Sequence, residues 1–377
     1  MAILSEIQHY GFWFLVVLTV LVFIHELGHF AVARWCGVRV EVFSIGFGPE
    51  LFGWSDRTGT RWKFSWLPLG GYVRMFGQED NILEGDSARP MTAAERAVSF
   101  KHKSVLRRMA IVAAGPAANY LFAVVVLALI YGILGKPHSD PIVGEVIAGS
   151  AADQAGLKAG DRFLALNGTK VNEFGDIVTV IQLNLEKPIT ITIDRSGQQL
   201  QLVAHPQIVT DKDLFGNLQK TPRLGIRQAA PSSVTKVGPG EAIVSAGQEV
   251  YAQSAVILTG MWQMLTGQRS SDEIRGVGGI AKMAGDVATL GFVPFVMFAV
   301  MLSINLGLIN LFPVPMLDGG HLAYYAVEGI RGKPLDERAQ EWGLKIGLAL
   351  VLSLMLFATW NDLVYLKVVD FVKSLFT

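Results

Sequence analysis

The stretch "MAIVAAGPAANYLFAVVVLALIYGIL", residues 109–134, contains no charged side chain. In hydrocarbon every backbone N–H and C=O must be paired within the protein, and a helix of about 20 mainly apolar residues meets that demand across a bilayer. A run this long and this apolar therefore restricts the chain to folds that place a helix in a membrane. Three further runs have the same character: roughly 11–33, roughly 288–312 and roughly 346–366. The third is uncharged, the fourth carries one acid, Asp362, and the first is interrupted only by His25, Glu26 and His29. Composition agrees, since 51% of the residues are hydrophobic and 17% charged, too apolar for a soluble protein of this length. The first ten residues, "MAILSEIQHY", lack a basic segment, so the first run reads as a retained helix rather than a cleaved signal. A net charge of zero gives no sign of a nucleic-acid partner, and the single Cys36 excludes a disulfide framework.

Lysine and arginine in the connections set the orientation. Residues 34–108 are rich in them, Arg34, Arg39, Arg89, Arg107 and Arg108 included, and the connection after the third run holds Arg331, Lys333, Arg338 and Lys345. With four spans both connections lie on the same, cytoplasmic side. Residues 135–287 then face outward.

The outward region has another texture. "PIVGEVIA", "RFLALNG" and "PITITIDRSGQQLQLVAHP" alternate like short strands, with turn signals at Asn167-Gly168 and Ser196-Gly197, and "DIVTVIQLNL" has helical spacing. The run "AGLKAGDRFLALNG" resembles the bacterial, circularly permuted PDZ domain. That resemblance implies an α+β domain over 136–228, with a peptide-end groove near "PIVGEV" at Val143 and Gly144. Residues 229–287 then form a linker and an amphipathic helix along the membrane surface. On the cytoplasmic side, "VRVEVFSI" and "RWKFSW" around the turn "SDRTGT", followed by "GGYVRM", fit a β-hairpin with a third strand within 34–76. The expected architecture is thus an α-helical polytopic membrane protein with four transmembrane helices. Residues 1–135 form its N-terminal membrane region, with a membrane-associated β element. An inserted PDZ-like α+β domain follows, and residues 288–377 form the C-terminal membrane region.

The chemistry lies in "HELGH", residues 25–29. On a helix, positions i and i+4 share a face, so His25 and His29 can offer two imidazoles to one metal, while Glu26 sits beside that face and can take a proton from a bound water. Ionisable groups in a membrane helix are costly and mark function. A catalytic zinc takes three protein ligands and keeps one position open. Asp318, in "NLFPVPMLDGGH", is the leading third ligand: Pro313 and Pro315 break the helix and Gly319 and Gly320 let the backbone turn closely. His321 and Asp362 are the alternatives.

"HELGH" near the N-terminus, "NLFPVPMLDGGH" near the C-terminus and a PDZ-like insert between them resemble the site-2 proteases, which are intramembrane zinc metalloproteases. The bacterial regulator of sigma-E protease type is the nearest match, with one PDZ-like domain here where its best-known members carry two. The resemblance covers essentially the whole chain. It implies zinc held by His25, His29 and Asp318, Glu26 as the catalytic acid/base, and Asn310 holding substrate backbone. It also implies a β edge at Gly71, Tyr72 and Val73 that pairs with substrate. It further implies a multi-pass protein of the bacterial inner membrane with the outward domain in the periplasm and the site toward the cytoplasm. Substrates would be membrane-spanning proteins or peptides, such as an anti-sigma factor or remnant signal peptides, cut after a first protease has acted, with lipid as the other partner. A membrane scaffold with structural zinc, or a metal transporter, are the rival classes; Glu26 speaks against the first and the single ionisable cluster against the second.

Overall fold

The computed structural model describes residues 2–78, 91–184, 187–212, 218–230 and 233–366. Arg89 and residues 367–377, used above for orientation and for the last membrane region, lie outside them. The chain begins with α1 (Ala2–Trp35), two long strands β1 (Val40–Ser55) and β2 (Arg61–Met75), a short helix α2 (Ala93–Val98) and α3 (Val105–Leu134). There follow β3 (Lys136–His138), β4 (Val143–Val146), α4 (Ala151–Gln154), β5 (Arg162–Leu166), β6 (Thr169–Lys170) and α5 (Phe174–Asn184). Next come β7 (Ile189–Arg195), β8 (Gln198–Ala204), β9 (Gln207–Lys212), β10 (Leu218–Arg223), β11 (Ile226–Gln228), β12 (Ser233–Thr235) and α6 (Pro239–Leu265). The chain closes with α7 (Val277–Thr289), α8 (Phe292–Asn310), α9 (Asp318–Arg331) and α10 (Glu337–Tyr365). Residues 1–125 with 272–377 form one compact unit and residues 126–271 a second.

Among the described residues, the helices over Ser5–Trp35, Val105–Leu134, Phe292–Asn310 and Arg338–Tyr365 are long and apolar enough to cross a membrane. Two of the expected spans change shape. The run 288–312 is not one helix: Gly291, at φ +113°, ends α7 and starts α8, and that left-handed backbone is open to glycine without strain. The last helix starts at Glu337, well before 346, because its charged first turns keep helical geometry ahead of the apolar run. Small residues let these helices approach. A Cβ on Gly28 of α1 would stand 2.2 Å from the Ala114 carbonyl oxygen of α3, and one on Gly307 of α8 would stand 3.1 Å from the Pro116 carbonyl oxygen.

The two long strands make a sheet of four segments. Residues 42–45 pair with 71–74 on one side and with 61–64 on the other, and 61–64 pair again with 52–55. The order is 71–75, 40–45, 61–64, 52–55, so the expected third strand is the far end of β2 beyond a bend at Gly70, φ +134°. Asp56 organises the intervening turn by accepting from the Thr58 and Thr60 N–H groups and from Trp62 Nε1. The sheet packs on α1 and α3 through Phe43, Val73, Met75, Ala33 and Ile111, all buried, with Phe43 stacked on Trp62 at 4.4 Å. Each large side chain so buried contributes about 1.5–3 kcal/mol, which ties the 71–75 edge firmly to α1.

In the second unit the sheet runs β6-β5-β7-β8, all antiparallel. Period-2 alternation puts Ile189, Ile191 and Ile193 of β7 into a core with Phe163, Leu166, Ile177 and Leu224. Asp161 is 1% exposed and accepts from Arg195 Nε and Nη2, both at 2.7 Å. The helix expected somewhere in 229–287 is two helices: α6 belongs to this unit, where Gln263 Nε2 donates to the Leu183 carbonyl of α5, and α7 belongs to the first.

Candidate metal centre

Helical geometry stacks His25 and His29 on one face of α1, and both are buried. Asp318 reaches the same point as the first residue of α9. The preceding "PVPM" segment cannot continue α8, because two prolines remove N–H donors, and Met316 sits at φ +88°. Gly319 and Gly320 have no room for a Cβ, which would lie 2.2 Å from the Phe312 carbonyl oxygen and 2.4 Å from that of Val314.

His25 Nε2 lies 3.1 Å from Asp318 Oδ2, His29 Nε2 lies 3.5 Å from the same oxygen, and the two ring nitrogens are 3.2 Å apart. The second nitrogen of each ring is engaged elsewhere: His29 Nδ1 with the Ile111 carbonyl oxygen at 2.9 Å, His25 Nδ1 with the Asn119 amide at 3.2 Å. Asp318 Oδ2 is buried with no hydrogen-bond donor assigned to it. Three potential ligand atoms thus converge on one point, an arrangement that suits a bound cation. The spacing suits zinc, whose bonds of about 2.0–2.1 Å in a tetrahedron put neighbouring ligand atoms about 3.3 Å apart. Among the described residues His25, His29 and Asp318 are the one His/Cys/Asp/Glu group so clustered.

The cluster opens into a cavity of 680 Å³. Glu26, Tyr72, Val73, Asn310 and His321 line it with the three donors. Gly71 stands beside Glu26, a Cβ there being 3.5 Å from the Glu26 Cγ, and the Val73 backbone N–H faces the Glu26 carboxylate. The carboxylate is thereby set between the metal-ligand face of α1 and the outer edge of the sheet.

The alternatives for a third donor separate cleanly. His321 lines the cavity but packs with its ring near Tyr324 and Tyr325, outside the trio. Asp362 is buried on α10, where its Oδ1 accepts the Gly276 N–H at 2.9 Å at the start of α7, a helix-capping task. At Val143 and Gly144, where the groove is expected, the surrounding strands and turns lie close. The Val143 N–H donates to the Asp161 carbonyl, its C=O accepts from Gly160, and β11 pairs along β4. A Cβ on Gly144 would also strike the Gln228 backbone.

Two residues escaped the sequence reading. Gly115 of α3 faces the imidazoles, a Cβ there falling 2.3 Å from His29 Nε2. Asn119, fully buried one turn on, touches His25 and through its carbonyl oxygen accepts from Ser303 Oγ of α8 at 3.0 Å. The signal was present in "AAGPAANY": small residues crowded around an amide that is expensive at membrane depth.

Fold and donor set together define a class: a membrane protein with a two-histidine, one-carboxylate centre and a second carboxylate beside it. The chain belongs to peptidase family M50, the site-2 protease family, whose model matches residues 13–354. A relative from Agrobacterium fabrum named "Putative zinc metalloprotease" is 43% identical over 359 residues, covering 93% of this chain and 94% of the relative. One of the same description from Rhizobium meliloti is 43% identical and covers 97% and 99%. The metalloprotease MmpA of Caulobacter vibrioides is 36% identical, covering 96% and 97%. Among solved structures, the PDZ domain of an SdrC-like protein from Listeria monocytogenes matches 24% of this chain and 88% of its own at 18% identity, with a TM-score of 0.20. The chain is accordingly a zinc metalloprotease.

Proposed function

We propose that this zinc metalloprotease hydrolyses peptide bonds inside the transmembrane segments of membrane-anchored substrates, with His25, His29 and Asp318 as its zinc ligands. The observation that carries the proposal is the position of "HELGH" on α1, a helix apolar enough to cross a bilayer, beside a cavity that the outer edge of a β-sheet also lines. When bound, zinc supplies a Lewis acid that polarises the scissile carbonyl and acidifies water.

The chain's own residues carry the rest. Glu26 takes the proton of the attacking water and delivers it to the leaving amine. Its place between the ligand face and the Val73 amide keeps the carboxylate oriented toward that proton. A substrate helix hides its carbonyls in its own hydrogen bonds and must unwind locally to be cut. Pairing as a strand with Gly71, Tyr72 and Val73 replaces those bonds and excludes water from the extended segment. Asn310, at the last position of α8 and on the cavity wall, holds substrate backbone through its side-chain amide.

The Lys/Arg asymmetry supports a multi-pass protein of the bacterial inner membrane with the site toward the cytoplasm and residues 136–228 in the periplasm. The second unit's mixed sheet and helix content supports reading it as a single permuted PDZ-like domain, acting on substrates such as anti-sigma factors or remnant signal peptides trimmed by an earlier protease. Incubating the purified protein in liposomes with a tagged single-span substrate, and locating the new termini by mass spectrometry, tests the reading. Cleavage within the span, lost on zinc chelation, is expected. Cleavage confined to the aqueous flank of the substrate overturns it.

A further inference from the structure

His29 and His25 are held differently at their far nitrogens. His29 Nδ1 meets a backbone carbonyl, which can only accept, so in the neutral ring the proton sits on Nδ1 and Nε2 keeps a lone pair. His25 Nδ1 meets a side-chain amide, whose two ends have opposite characters. With Nδ2 against the ring, the amide would donate to Nδ1 and force the proton onto Nε2, the atom that faces Asp318 and His29. That orientation also leaves Asn119 Oδ1 buried with no hydrogen-bond partner. With Oδ1 against the ring, Nδ1–H donates and Nε2 is free to bind a cation. The partners around an amide decide which end is oxygen, and ligation of a cation through His25 Nε2 requires the second orientation.

We propose that Asn119 is the positioning residue of the metal centre: its Oδ1 accepts the Nδ1–H of His25 and so fixes the tautomer and ring plane in which Nε2 can ligate zinc. The inference rests on the reading of His25 as a zinc ligand. Asn119 is itself anchored, since it is fully buried and its carbonyl takes the Ser303 hydroxyl of α8, so the centre draws support from three helices. Partners of this kind are commonly worth about 10- to 100-fold in metal affinity.

The test is zinc affinity of the full-length protein in detergent, by chelator competition, for the parent, His25→Ala, Asn119→Leu and Asn119→Asp. Asn119→Leu keeps the volume and loses the acceptor; it should bind zinc about 10- to 100-fold more weakly. Asn119→Asp offers an oxygen in either protonation state and should stay within a few-fold of the parent. With cobalt in place of zinc, its visible absorption bands should shift, because a carboxylate makes the imidazole a stronger donor, a change that a packing role would not produce. Parent-like affinity in Asn119→Leu, or an Asn119→Asp variant as weak as Asn119→Leu, overturns the inference alone. Parent-like affinity in His25→Ala removes the ligand reading beneath it.

Discussion

Replacing Gly115 by alanine pits two effects of known size against each other. In a helix interior alanine is favoured over glycine by about 1 kcal/mol, so on propensity alone the substitution should firm up α3. At this position the new Cβ would lie 2.3 Å from His29 Nε2, 2.5 Å from His29 Cε1 and 2.9 Å from His25 Cε1. All three are closer than carbon contacts allow, so the two buried rings must shift from the positions that face Asp318. Overpacking of this kind costs about 1–3 kcal/mol. The atoms that must give way are imidazoles, so the cost falls on ligand placement. At about 1.4 kcal/mol per tenfold, Gly115→Ala should weaken zinc binding roughly 5- to 150-fold, while the thermal midpoint of the zinc-free protein stays near that of the parent. Chelator competition and a melt of the zinc-free protein measure the two quantities separately. Unchanged zinc affinity with a lowered midpoint would show that Gly115 serves helix packing only, and would refute the reasoning.

Three other outcomes follow from the same structure. Asp362→Leu removes the cap of α7 and should speed hydrogen exchange in residues 277–289 while leaving zinc content unchanged; loss of zinc would return Asp362 to the ligand set. Arg195→Gln leaves Asp161 buried without its cation and should destabilise the second unit by roughly 3–5 kcal/mol, seen as faster exchange in β7. In the parent, burial pushes the Asp161 carboxyl up, but the Arg195 guanidinium and the Lys158 amide outweigh it and hold it below its ordinary value of 3.8. Its contribution is therefore present above about pH 4 and lost as pH falls below that; protection of β7 in the parent should decline in that acid window and hardly at all in Arg195→Gln.

How far the sequence could be read depended on whether a feature was local. The four apolar runs needed only composition, and the pairing of His25 with His29 only helical spacing. Asp318 was reachable because prolines and glycines announce a bent, close-packed segment. The break at Gly291 was not, since α7 and α8 are both apolar enough to merge into one run. Asn119 and Gly115 stayed hidden for a related reason: in a helix that is apolar all round, no periodicity says which face meets the histidines. The strand that pairs beside Val143, 226–228, lies far along the chain and gives no local sign of itself, and Asp362 stayed an alternative ligand until its partner at Gly276 came into contact.

The central claim is that Glu26 moves the proton while His25, His29 and Asp318 hold the metal. The most direct measurement is zinc content and substrate cleavage of Glu26→Gln side by side, using purified protein and a membrane-spanning substrate. Glutamine keeps the shape of the side chain and cannot accept the proton, so zinc should remain at parental stoichiometry while cleavage falls by at least about 10²-fold. Cleavage at the parental rate by the zinc-loaded variant would contradict the account.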